Sequence, residues 1–177
     1  MSRCIKILGV TILCLTAFPA LAGVDVEQAL ESFHSTCLAH GPDFDRTTAA
    51  ADGLGWEPIA EDAFAKLAPL ENARAMRGWR ATGKAMPEGT VVGVSKATLN
   101  GKAVQTCTVA IVDVHVESFL KSFFTRTDAE KISEERNEVQ VSRLYILIAG
   151  DRKQFVNLKF PASTGEGMIV ASSITGE

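Results

Sequence analysis

The chain has 177 residues, 46% of them hydrophobic and 22% charged, with 18 Lys and Arg against 21 Asp and Glu for a formal net charge of −3. That length is enough for one domain with a substantial core. The mild acidity argues against nonspecific nucleic-acid binding, which needs a basic face.

The first 22 residues read as a secretory signal peptide. Arg3 and Lys6 precede an uncharged stretch, 7–18, that is too short to span a bilayer as a permanent helix. Pro19 ends it, and Ala20-Leu21-Ala22 has the small-x-small pattern of a cleavage site. Cleavage after Ala22 is expected, leaving Gly23 first and 23–177 as a single α+β domain. No cysteine follows the cut, so no lipid anchor is expected, and no later apolar run is long enough for a membrane span. The expected location is the periplasm or the exterior, with no membrane association after cleavage.

Of four cysteines, Cys4 and Cys14 leave with the signal, so Cys37 and Cys107 remain. In an oxidising compartment their pairing is the expected outcome. It would close a loop of about 70 residues, worth on the order of 4 kcal/mol by chain entropy. The surrounding stretch, FHSTCLAHG, sets His34 and His40 three residues either side of Cys37. On a helix all three could share a broad face, and zinc takes such ligands, so a metal site and a reactive thiol stay as alternatives. Ligands at i and i+6 converge poorly on one ion, and an oxidising compartment works against a free thiol. The disulfide is the preferred reading.

Helical spacing of Val26, Ala29, Leu30, Phe33 and Cys37 predicts a first helix over 24–40, stopped by Gly41-Pro42. A short second helix over 47–51, capped by Asp43 or Asp45, and a third over 61–68 follow. Residues 74–82 look strand-like, although Gly78 counts against it. Strands over 90–99 and 102–113 flank Asn100-Gly101, the preferred pair for a type I′ hairpin. That turn sets Val94 opposite Cys107, Val92 opposite Val109 and Thr90 opposite Ile111, which makes one apolar core face. The other face carries Gly93, Ser95, Thr106 and Thr108, small and mixed, suited to partial cover or a shallow groove.

An amphipathic helix is expected over 116–124. Thr127 to Glu130 fits a capping box, so the charged run through Glu138 reads as a solvated helix with one buried contact, Ile132. Strands are expected over 139–149, 153–160 and 168–174. The resulting class is α+β: an antiparallel sheet of five to six strands with N-terminal helices and one crossover helix, the helices on one face. The element order is that of PAS-like and profilin-like domains, a likeness that says little about function.

Asp113-Val-His115-Val-Glu117 is the other chemically suggestive stretch. On a continuing strand its three polar side chains would share the face of Cys107 and could hold a divalent metal or serve as acid and base. Helix entry explains the same residues: Asp113 or His115 near a cap, and Glu117 where the dipole favours negative charge. Phosphate-loop, nucleophile-elbow, zinc-protease and EF-hand signatures are missing, so no cofactor is expected. Trp56, Trp79 and Tyr145 could line a pocket, although burial is the usual fate of such residues.

The stretch FHSTCLAHGPDFDRTTAAADGLGW, with its cysteine, Ala-rich segment and Gly-Trp, resembles the N-terminal part of small exported proteobacterial proteins of unknown function. Thr106-Cys107 matches their later strand. The resemblance implies a bacterial periplasmic protein with one disulfide. The expected function is noncatalytic binding of an envelope protein or a small ligand. One alternative is a periplasmic hydrolase using His115 with Asp113 or Glu117, and another is a secreted inhibitor or immunity-like factor.

Overall fold

A computed structural model describes residues 23–150 and 152–176; the expected signal segment lies outside the described residues. Helix α1, Val26–Phe33, starts at Asp25, whose side chain accepts the Glu27 N–H at 2.9 Å. A π-helical turn, His34–Leu38, continues it and keeps Cys37 and Leu38 on the buried side. Helix α2, Phe44–Leu54, runs from an Asp43 cap to Gly55 in the left-handed region. Then come β1 (Glu57–Ile59), α3 (Glu61–Ala65), β2 (Ala73–Arg80), β3 (Val91–Leu99) and β4 (Lys102–His115). Helix α4 (Val116–Arg126), β5 (Glu130–Arg136), β6 (Gln140–Ala149), β7 (Arg152–Pro161) and β8 (Glu166–Gly176) complete the chain.

All eight strands join one antiparallel sheet in the order β1-β2-β3-β4-β8-β7-β6-β5. This corrects the expected five to six strands, the N-terminal block of helices, the single crossover helix (α3 and α4 both lie between strands) and the PAS-like or profilin-like element order. The two unforeseen strands are the outermost ones. β1 is three residues long and contains Pro58, which removes a ladder donor but is tolerated at an edge. β5 is the run expected to be a solvated helix. All seven of its residues are exposed, and Ile132 is 49% exposed where a buried contact was expected. Its local composition favours a helix, but Thr127 turns extended after α4 and β6 supplies the ladder. Charge along such an edge also blocks pairing with another chain.

Helices α1, α2 and α4 and the π turn cover one face of the sheet. There Leu30, Phe33, Phe119 and Phe123 meet Val94, Val109, Tyr145, Val156 and Leu158 in a single buried cluster. Each such side chain contributes about 1.5–3 kcal/mol on full burial. The Asn100-Gly101 turn has both φ values positive, +50° and +77°. It sets Val94 opposite Cys107 and Val92 opposite Val109. Cys37 and Cys107 form a disulfide with Cα atoms 5.3 Å apart, which ties the π turn to β4 in the middle of this core.

Helix α3 packs on the opposite face, against the expectation of helices on one side only. Phe64 lies over Gly78 of β2 and Gly93 of β3, where any Cβ would meet its side chain. Beyond it Leu70 packs against Ala97, Val104 and Ile174. The small hairpin face is therefore a seat for an aromatic ring. Its hydroxyls satisfy one another, with Ser95 to Thr106 at 2.7 Å and Thr108 to Ser172 at 2.9 Å.

Tyr145 is fully buried beside Phe123 and Phe124, and its hydroxyl has no hydrogen-bond partner in bonding geometry among the described residues. Burial pushes this phenol above its usual range, although nearby Arg143 opposes the shift. Removing an unpaired buried hydroxyl costs nothing in lost bonds. Tyr145→Phe is expected to leave stability unchanged or raise it by about 1 kcal/mol in urea denaturation. A loss beyond that range would mean that the hydroxyl has a partner in solution.

At the β5 edge, Glu134 accepts from Lys131 at 3.3 Å and from Arg143 at 2.8 Å. The Lys131 hydrogen bond, helped by Arg143, holds its carboxyl below the ordinary 4.5. A depressed carboxylate stabilises the folded edge above the unfolded pKa, and that contribution disappears as pH falls through the folded one. Hydrogen exchange read by mass spectrometry is expected to show β5 amides losing protection below about pH 4.5 while β4 stays protected.

Candidate functional site

His34 and His40 lie exposed on either side of the buried Cys37, so FHSTCLAHG does not bring its three donors together. Among the described residues no group of three or more His, Cys, Asp or Glu side chains is placed to hold a metal. The stretch is built around the disulfide. Its end is fixed from the sheet: Gln154 donates to the Leu38 carbonyl at 2.9 Å and accepts from Ser173 at 2.6 Å, and Arg152 donates to the His40 carbonyl at 2.9 Å.

A β-bulge decides the second stretch. Ile111 pairs with Ile169 but Val114 pairs with Gly167, so β4 carries one extra residue here, and Asp113 takes a φ of +56°. The bulge reverses the alternation. Buried positions run Cys107, Val109, Ile111, then Val114 and Val116, and Asp113, His115 and Glu117 all turn to solvent. The expectation that these three share the face of Cys107 is corrected accordingly.

His115 is the N-cap of α4. Its Nδ1 accepts the Ser118 N–H at 3.4 Å and lies 3.0 Å from Ser118 Oγ and 3.5 Å from Glu117 Oε2. Sequence reading missed the Ser118 contact, although i,i+3 is the spacing a helix cap imposes. A serine, a histidine and a carboxylate thus stand together. In a relay, however, the serine and the acid engage opposite ring nitrogens, whereas here both crowd Nδ1. Both His115 and Glu117 side chains are about half exposed, at 52% and 50%, so water is not excluded from them. This geometry suits a cap. His115→Ala is expected to cost about 1 kcal/mol in thermal denaturation, and His115→Asp to recover most of it. Failure of aspartate to rescue would count against the cap role.

Trp56 and Trp79 are core residues, 6% and 2% exposed, and Trp56 Nε1 donates to the Thr82 carbonyl at 3.0 Å. They do not face His115's solvent-exposed surface.

A concave feature with exposed apolar lining lies on the second face of the sheet, past the cover of α3. A cleft of about 220 Å³ opens between the segment after α3 and the β6–β7–β8 end of the sheet. Lys66, Leu67, Val139, Lys159, Met168 and Val170 line it. Val139 and Met168 are large apolar side chains left 78% and 44% exposed. Gln140 also lines an adjoining hollow of about 330 Å³ with Glu135, Arg136, Asn137 and Ser142, so the two form one trough. These residues come from separate segments of the chain, and no local motif could have pointed to them. Strand register is what joins Val170 to Lys159 and Lys159 to Ser142.

Comparison of the chain with protein-family models, with curated proteins and with solved structures finds no match in any of the three. Among the described residues no helix is long and apolar enough to cross a membrane.

Proposed function

We propose that this chain is an exported, noncatalytic binding domain of the bacterial envelope, and that the trough on the second sheet face holds its partner, an envelope protein or a small ligand. The observation that carries this reading is the pair Val139 and Met168, large apolar side chains held in solvent at the rim of a lined cleft. Exposed apolar surface of this kind marks interaction sites when it is gathered in one concavity. The signal-like residues Arg3, Lys6 and Ala20-Leu21-Ala22 support export. A buried disulfide suits the same oxidising destination. The solvated, cap-like setting of His115 adds no demand for chemistry.

A photo-crosslinking amino acid placed at position 139 in the native cell tests this. A discrete adduct is expected there, and none from the same group at Lys121 on α4. Equal labelling at both positions, or no adduct at 139, would sink the reading.

A further inference from the structure

The trough's chemistry narrows the kind of partner, on the condition that the trough is the binding site. We infer that it receives an extended acidic segment of a partner protein, with an apolar anchor residue flanked by carboxylates.

Charge is the first argument. The chain is acidic as a whole, yet the charged side chains lining the apolar cleft are both lysines, Lys66 and Lys159, and the adjoining hollow adds Arg136 against one carboxylate, Glu135. Neither forms an ion pair among the described residues. Lys159 is half-buried on β7 beside Val170. An ammonium in that setting lacks a counter-charge, and an incoming carboxylate supplies one while steering the encounter.

Openness is the second. A small-molecule site encloses some 70–90% of its ligand's surface, and a cleft whose rim leaves Val139 78% exposed does not enclose one. A chain segment needs only one of its sides covered. An extended segment also alternates its side chains, so an apolar residue can enter the cleft while its neighbours reach the lysines.

Symmetry is the third. A two-fold pairing with a second copy sets the same patch against itself, which would bring Lys66 and Lys159 towards their own counterparts. Like charges so placed oppose association.

The test uses two capped synthetic peptides, Gly-Asp-Asp-Leu-Asp-Asp-Gly and Gly-Lys-Lys-Leu-Lys-Lys-Gly, titrated into the intact exported protein and followed by backbone amide NMR. The acidic peptide is expected to bind with about millimolar affinity, to shift the amides of Val139, Lys159 and Met168, and to weaken as salt rises. The double variant Lys66→Glu with Lys159→Glu should lose at least about tenfold in that affinity and take up the basic peptide instead. Lys66 is exposed and Lys159 half-buried, and an unchanged spectrum elsewhere verifies the fold of the double variant. The inference is overturned by equal binding of both peptides or of neither, by shifts confined to another surface, or by a dimer in sedimentation that Val139→Asp breaks. If the basic peptide alone fills the trough, the acidic class falls while the binding reading stands. Loss of the position-139 adduct removes the broader reading as well.

Discussion

Replacing Cys37 and Cys107 together with alanine is expected to lower stability by about 4 kcal/mol. The bridge spans 70 residues of sequence. Opening it returns to the unfolded chain the loop entropy that the bond removes, and the logarithmic dependence on loop length sets the figure. Both sulfurs are fully buried between the π turn and β4. Alanine leaves a small cavity there but introduces no polar group, so the cavity adds to the loss only modestly. At roughly 2–4 °C per kcal/mol for a chain of this size, the melting temperature should fall by about 10 °C. The measurement is urea denaturation of the oxidised, reduced and double-alanine proteins. Reduced and double-alanine forms should unfold at nearly the same midpoint, well below the oxidised one. Coincident midpoints for all three would mean that the first helix holds to the sheet without the bond.

The second large effect is expected at Gly93. This residue sits mid-strand in β3, where β-branched residues are ordinarily preferred, and its φ is not positive. Glycine is required because the Phe64 ring lies on its Cα, leaving no room for a Cβ. Gly93→Val should expel the ring and cost about 3 kcal/mol, the scale of losing a buried phenylalanine from its site. Phe64→Ala alone should cost a similar amount. In the Phe64→Ala background, adding Gly93→Val should cost far less, because the clash is gone and valine suits the strand. A double-mutant cycle in urea reads this directly. Additive losses would show that Gly93 is constrained by something other than the ring.

These two sites show how unevenly a sequence discloses its fold. The hairpin register follows from Asn100-Gly101 and a period of two, because a two-residue turn leaves the strands only one way to pair. The disulfide follows from the cysteine count once the signal-like leader is read as implying an oxidising compartment. Phe64 against Gly93 is not legible, since nothing local tells a five-residue helix which side of a sheet it will take. The charged composition of β5 fits a helix better than a strand, and the ladder offered by β6 that overrides it is a tertiary term. The bulge at Asp113 is equally hidden. One extra residue turns His115 away from the face of Cys107 and dissolves the arrangement that an unbroken strand would have made.

By itself, the sequence determined some local rules: where α3 and α4 begin, which hairpin residues alternate into the core, and which two cysteines meet. Those are properties of neighbouring residues, governed by capping, periodicity and turn geometry. The tertiary structure alone decided the width of the sheet, the side on which α3 packs, and the gathering of Lys66, Val139, Lys159 and Met168 around one trough. Each of those depends on residues far apart in the chain competing for the same surface, and no window along the sequence contains that competition.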